Sequence, residues 1–468
     1  MSTTVGNVIN GQREAAGGPT SELIDPAAGE VFGAAAVSGA ADVERAVRAA
    51  EAAFPGWAAT TPAARQEALL ALADALLARA EEFVEAECRE TGKLRQVVLE
   101  EEIPQCADQI RFFAGAARLM HGGSADEYVA GHTSYQRREP VGVIAQITPW
   151  NYPLMMAVWK IAPAIAAGNT VVVKPADTTP SSTALLAEVA SEILPDGVFN
   201  VVLGDRDTGR LLVEHEVPAM VSITGSTRAG IEVARSAAAT LKRTHLELGG
   251  NAPVLVFDDV DVRGAADGIV AAAFYNAGQD CTAATRVLVH SDIHDEFVAA
   301  LTERAEATKP GVDFGPLNSA AQLDRVLGLL ARLPAHAQSH CGAEQHGDHG
   351  YFLAPTVVSG LTQDDEIVQE EIFAPVITVQ RFGDDAEAVA LANGVPQGLA
   401  ASVWTRDHGR AARLTTCLDF GCVWINTHGL LTAEMPHGGF GQSGYGKDLS
   451  MHGLEDYTRV KHVMAAHG

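Results

Sequence analysis

The sequence predicts an α/β protein built on two doubly wound parallel sheets. Two patterns carry that expectation: from residue 141 short apolar or β-branched runs alternate with helical stretches, and the alternation begins again after Gly250. A third observation is length, since 468 residues exceed one ordinary core and call for two or three domains.

Ahead of the sheets, residues 41–119, from "ADVERAVRAAEAAFPGWAA" to "CADQIRFFAGAARLM", space apolar residues at helical intervals with charges between them. Successive amphipathic helices are expected there. The first sheet opens with "VGVIAQITPWNYP", an apolar run stopped by two prolines, and "NTVVVKPAD", a β-branched run stopped by Pro175. A helix over "SSTALLAEVASEIL" leads to the strands "VFNVVLG" and "AMVSITGS", a helix near 228–240, and the strand "RTHLELGG". The second unit has the strand "APVLVF", a helix through "AADGIVAAAFYNAG", the strand "TRVLVH" and a helix from 292 to about 307, and it extends to about residue 430. "QSHCGAEQHGDHG" (338–350) reads as a solvated loop; its three His and one Cys have the spacing of no ordinary metal site, and no metal is expected.

Composition narrows the partners. With 33 basic and 59 acidic residues the formal charge is −26, which argues against nucleic acid and anionic membranes and suits a small cationic substrate. "MSTTVGNVINGQREAAGG" lacks a basic start followed by an apolar run, and no stretch is apolar enough to span a bilayer. The six cysteines, Cys88, Cys106, Cys281, Cys341, Cys417 and Cys422, show no CxxC spacing. A soluble cytoplasmic protein with reduced thiols is the expectation.

Four places invite chemistry. Cys281, in "FYNAGQDCTAATR", is either a nucleophile in a polar loop or a small buried hydrophobe. Asn151, in "TPWNYP", is a strand-end amide able to donate to a developing oxyanion, or a turn former before Pro153. Glu247, in "HLELGG", is a working carboxylate or a surface acid at a strand end. "SITGSTRAG" puts Gly225 and Ser226 at a helix N-terminus, where backbone N–H groups suit a pyrophosphate, although it is not a GxGxxG fingerprint.

Taken in chain order, "DPAAGEVF", "PWNYP", "GNTVVVKPAD", "TGSTRAG", "LELGG", "GQDC", "EEIFAPV" and "GLEDYTRVKHV" resemble the aldehyde dehydrogenase superfamily across essentially the whole chain. The resemblance implies the aldehyde dehydrogenase-like fold: an NAD-binding domain over 1–121 and 141–248, a catalytic domain over 249–446, and a small β oligomerisation element over 122–140 and 447–468. A homo-oligomer, dimer or tetramer, goes with it, and "TSYQRREPVGV" reads as an exposed strand awaiting a partner. By the same resemblance Cys281 is the nucleophile, Glu247 the general base and Asn151 the oxyanion donor. Contacts to NAD are implied for Ile147, Thr148, Trp150, Lys174, Asp177, Gly225, Ser226, Leu248, Glu371 and Phe373. Asp177 stands where many NAD-using relatives have Glu, Ala374 where Gly is usual, and "ATKPGVDFGPL" is shortened. Retention of Glu247 points to hydrolysis of a thioester rather than transfer to CoA, and Cys281 with Glu247 argues against a non-catalytic NAD-binding structural protein.

Less general words, "VWINTHGLLTAEMPHGG", "SGYGKDLSMHGLEDYT" and "DQIRFFAGAARL", look most like bacterial 4-aminobutyraldehyde dehydrogenases of putrescine breakdown. An ammonium tail needs a carboxylate or aromatic faces in place of its hydration. Glu101 and Glu102, with Glu102 the better match, are candidates for that role or form a solvated helix face. Asp280 precedes the cysteine, and Tyr152 and Trp159, seven apart on a helix, share one face as tunnel aromatics or as core. Choline-pathway relatives often carry a further aromatic where this chain has His437. Betaine aldehyde and general aliphatic aldehydes are the rival substrates.

Overall fold

The computed structural model describes residues 3–15, 18–120, 122–123 and 125–468. The domain boundary expected at 121 and the first two residues of the chain lie outside them.

Two large sheets dominate. The first runs in the order Gly444–Tyr445, Arg243–Leu248, Met220–Gly225, Val143–Ile147, Thr170–Lys174, Phe199–Val201, Val8–Ile9, Gln12–Arg13. Its five central strands are parallel, and the short outer pairs are antiparallel. The chain winds outward from Val143–Ile147 to Phe199–Val201, then returns to lay Met220–Gly225 on the other side of its starting strand. Val143–Ile147 and Met220–Gly225 therefore flank a topological switch point, where an open α/β sheet leaves a crevice beyond its carboxyl ends. The second sheet is ordered Gln338–Cys341, Thr356–Ser359, Val376–Phe382, Arg286–His290, Pro253–Val256, Ala400–Trp404, Cys422–Ile425.

Strands buried on both faces explain the continuous apolar runs: every residue of Thr170–Lys174, Pro253–Val256 and Ala400–Trp404 is buried. The helical opening occurs as Ala40–Ala58, Pro62–Ala78, Ala80–Thr91 and Ile103–Ala116. Thr61 caps the second of these by accepting from Ala64 N at 3.2 Å. Just before the last, Ile103 N–H reaches back five residues to Val98 O, widening the turn over Val98–Glu102.

Three readings of the sequence change. Residues Gln338–Cys341 form an antiparallel edge strand on Thr356–Ser359 rather than part of a loop, and His340 spends its ring on Ser359 Oγ at 2.6 Å. Strand His132–Pro140 is not awaiting a partner: it is the middle of a three-stranded sheet, between Asp126–Val129 and the C-terminal strand Thr458–Ala466 of its own chain. The helix expected through Gly278 stops at Phe274. Among the described residues no helix is long and apolar enough to cross a membrane.

Candidate active site

A cavity of about 1160 Å³ lies between the two sheets. Cys281 enters it from the loop ahead of Arg286–His290, Glu247 from the end of Arg243–Leu248, and Asn151 from the turn after Val143–Ile147.

The cysteine loop is held under tension. Asn276, Ala277 and Gly278 take φ of 50°, 56° and 68°, and the first two lack glycine's freedom in that left-handed region. Polar contacts hold them: Asn276 Nδ2 donates to Asn151 O (3.0 Å) and Gln279 O (3.1 Å), Gln279 Nε2 to Pro316 O (3.1 Å), and Asn318 N to Gln279 Oε1 (2.8 Å). Asn151 Nδ2 donates to Gln279 O at 3.0 Å, tying the amide to the cysteine's loop. A Cβ on Gly250 would overlap the Cys281 carbonyl oxygen, so the bare backbone there is what lets the cysteine chain pass. Sequence reasoning missed Gly250, Asn276 and Gln279; the Asn-x-x-Gln spacing just before the Cys was the available signal.

Burial disfavours charge on three groups of the site. Burial pushes the Cys281 thiol well above its usual range, and Asp280, Glu247 and Glu371 add to the rise. Burial raises the Glu247 carboxyl to about 8, reinforced by Asp448 and opposed by Lys160, His245 and Lys447. Burial likewise raises Glu371 to about 7, although Gly250 N donates to it at 2.8 Å. Behind Glu247 sits a buried charge cluster: Lys160 Nζ is 3.1 Å from Asp448, and His245 bridges Asp448 (3.2 Å) and Asp456 (3.1 Å). Burial favours neutral His245, yet the two aspartates outweigh it and raise the ring to about 9.

The dinucleotide candidates divide into two sets. Trp150, Gly225, Ser226, Leu248, Glu371 and Phe373 line the cavity. Trp150 and Phe373 meet edge to face with centroids 5.4 Å apart. Ser226 caps the helix Thr227–Ala238 by accepting from Ala229 N at 3.3 Å. Ile147, Thr148, Lys174 and Asp177 lie outside that lining, at or just beyond the carboxyl ends of the neighbouring strands Val143–Ile147 and Thr170–Lys174. Lys174 Nζ is spent on Pro175 O (2.7 Å) and Gly204 O (2.9 Å), while Asp177 is exposed.

The substrate side needs two corrections. Glu102 does not face the cavity: it is buried in an ion pair with Lys93, at 2.8 and 2.9 Å. Its neighbour Glu101 lines the cavity and accepts from Tyr275 Oη at 3.1 Å. The widened turn over Val98–Glu102 is the reason, because an extra residue in the turn rotates every later position away from ordinary helical count. Tyr152, Trp159 and Asp280 do line the cavity; Tyr152 precedes the helix Pro153–Ala166 rather than lying on it, and its hydroxyl donates to Asp280 at 2.8 Å. Trp159 Nε1 donates to Gln109 at 2.9 Å. Among the described residues, the one group whose ligand atoms converge as a cation would need is Asp258, His290 and Asp292, with no member from 338–350.

A doubly wound sheet with a crevice at its switch point, carrying a buried carboxyl and an amide there and facing a thiol from the loop ahead of the second sheet's Arg286–His290, defines a nucleotide-fold enzyme. The chain belongs to the aldehyde dehydrogenase family, whose model matches residues 13–463. A betaine aldehyde dehydrogenase of Mesorhizobium japonicum is 41% identical over 458 residues, 95% of this chain and 94% of that protein. An NAD-dependent aldehyde dehydrogenase from Sinorhizobium meliloti superimposes with a TM-score of 0.97 at 36% identity, over 100% of this chain and 95% of that one. A point mutant of betaine aldehyde dehydrogenase from Staphylococcus aureus, in complex with NAD+, gives 0.96 at 34% identity, over 99% and 97%.

Proposed function

We propose that this aldehyde dehydrogenase uses NAD and releases its product by hydrolysis, and that its substrates are small aldehydes with a cationic tail, 4-aminobutyraldehyde first. One observation carries the substrate reading: the carboxylates of Glu101 and Asp280 and the rings of Tyr152, Trp159 and Tyr275 line the cavity that holds Cys281. A primary ammonium gives up strong hydration and needs acceptors as well as ring faces in return. Betaine aldehyde is the second reading, favoured by the relationship to the Mesorhizobium enzyme and by the rings, which suit a quaternary ammonium with no proton to donate.

NAD fits the residues present. The switch-point crevice, the capped N-terminus of Thr227–Ala238 and the close packing of Gly230 on Leu248 make a phosphate cradle, while the Asp177 carboxylate favours ribose hydroxyls over a 2′-phosphate. When bound, NAD supplies the acceptor for the two electrons and hydrogen that leave the aldehyde carbon.

The chain's own groups do the rest. Cys281, once deprotonated, adds through sulfur to the carbonyl, and Asn151 Nδ2 with the Cys281 backbone N–H steadies the oxyanion. Oxidation leaves a thioester on Cys281. Glu247 takes a proton from water as that water attacks the thioester carbon, and the C–S bond breaks to free the acid. The domains follow the two sheets, and the three-stranded sheet, with Tyr128, Tyr135, Val460 and Met464 exposed, is the surface through which we expect copies to assemble.

Ranking kcat/KM for 4-aminobutyraldehyde, betaine aldehyde and a neutral aldehyde of equal length, with NAD and NADP compared, tests this. A neutral aldehyde ranked first would overturn the cationic reading, and betaine aldehyde ranked first would select the second one.

A further inference from the structure

Glu247 is 1% exposed, and among the described residues neither of its carboxyl oxygens has a hydrogen-bond partner. A carboxylate formed there would lose its hydration with nothing in exchange. His437, 2% exposed, points Nε2 at it from 3.9 Å, and Nδ1 of the same ring is also without a partner among the described residues. That gap is too long for a hydrogen bond and short enough for a small side-chain rotation or one bridging water to close. The ring is well fixed: it meets Trp159 edge to face at 5.2 Å, and its backbone exchanges hydrogen bonds of 2.9 and 2.8 Å with Asp448. Both His437 and Glu247 line the cavity that holds Cys281.

We propose that His437 is the positioning residue of thioester hydrolysis: its Nε2–H donates, directly or through one water, to the Glu247 carboxylate and holds it as a base facing the acyl carbon. The inference rests on the reading of Glu247 as that base. In the step itself the water O–H bond breaks toward Glu247 Oε, a C–O bond forms at the acyl carbon, and the C–S bond breaks with its electron pair on sulfur. The thiolate and the acid then share out the proton that Glu247 releases, and nothing is oxidised or reduced. His437 transfers no proton. Burial keeps its ring neutral, pushed down to about 4 against the pull of Asp448 and Asp280, with Lys447 and Lys160 adding to the lowering.

The sign of the pH effect follows. Glu247 sits near 8, so the carboxylate is scarce at neutral pH and grows as pH rises, and a hydrogen bond to that ionised form brings it in earlier. The groups acting on Glu247 from packed elements, Asp448, Lys160, His245 and Lys447, are common to every variant compared below.

The experiment is stopped-flow and steady-state kinetics against pH, on the enzyme with its best aldehyde, for the wild type, His437→Phe, His437→Gln and Glu247→Gln. Phe fills the space and keeps a ring against Trp159 but cannot donate; Gln restores a donor. His437→Phe should leave the NADH burst intact and shift the rising limb of kcat upward by about one pH unit, a roughly tenfold loss at neutral pH. His437→Gln should recover most of that, and in His437→Phe KM should fall with kcat so that kcat/KM, set by the steps before the thioester, stays near wild type. An unmoved limb in His437→Phe, an equal loss of the burst, or a Gln variant as impaired as Phe would overturn the inference. Glu247→Gln separates the two readings: if it keeps the limb and the rate, the base assignment itself fails. If it loses them while His437→Phe does not, the assignment of His437 alone fails.

Discussion

Burial, with Asp280, Glu247 and Glu371 nearby, pushes the Cys281 thiol above its usual range, which disfavours a standing thiolate. Cys281→Ala should abolish aldehyde oxidation while NAD binding, followed by fluorescence titration, stays near wild type; turnover within about tenfold of wild type would remove the nucleophile, since losing a covalent route costs several kcal/mol. The two neighbouring glutamates separate in kind. Glu101→Gln should raise KM for 4-aminobutyraldehyde roughly tenfold and leave a neutral aldehyde alone, because a charge-assisted contact is worth about 1.5–3 kcal/mol. Glu102→Gln should instead lower the melting temperature, as Lys93 is left buried without its counter-charge at a cost of about 3–5 kcal/mol. A substrate-selective KM effect from Glu102 with no loss of stability would reverse that assignment. Motifs in family order singled out Cys281, Glu247 and Asn151, and the structure brings all three to one cavity. Those motifs could not tell Glu101 from Glu102, because a widened turn leaves no mark in the hydrophobic period.

Short buried strands between helices announce themselves by β-branched runs, which is why the parallel strands of the first sheet, and Pro253–Val256 and Arg286–His290 of the second, were readable. Elements whose partners are remote were not: Gly444–Tyr445 pairs with Arg243–Leu248, and Gln338–Cys341 is half-exposed and rich in polar residues, so neither carries a local signature. The strained turn over Asn276–Gly278 was equally silent, because two of its left-handed residues are Asn and Ala and the turn is held by bonds from the Asn276 and Gln279 side chains to backbone carbonyls of other elements. Gly250→Ala should expose how tightly this region is set. The added methyl meets the Cys281 carbonyl, so the nucleophile must move, and a misplacement of about 1 Å can cost on the order of a hundredfold in rate. A near-normal kcat with normal stability would show that the loop yields more easily than its contacts imply.

Across the whole molecule the C-terminal portion ties the parts together. Gly444 pairs with Glu247, Ser443 Oγ donates to Gly249 O at 2.7 Å, Asp448 anchors Lys160, and Thr458–Ala466 completes the sheet around His132–Pro140. Removing residues 458–468 should strip that strand of its long partner, changing elution in size-exclusion chromatography and lowering the melting temperature; unchanged behaviour in both would show the sheet to be dispensable. The pairing of Glu247 with Gly444 also has a meaning in time. A ribosome makes Glu247 and Cys281 well before the segment that pairs with Glu247, which follows it by roughly two hundred residues, so the nascent chain carries both side chains while the wall beside Glu247 is still unbuilt. On the proposed reading an interrupted polypeptide would leave Glu247 without its partner strand, and competence would arrive late in synthesis rather than growing with the length of the chain.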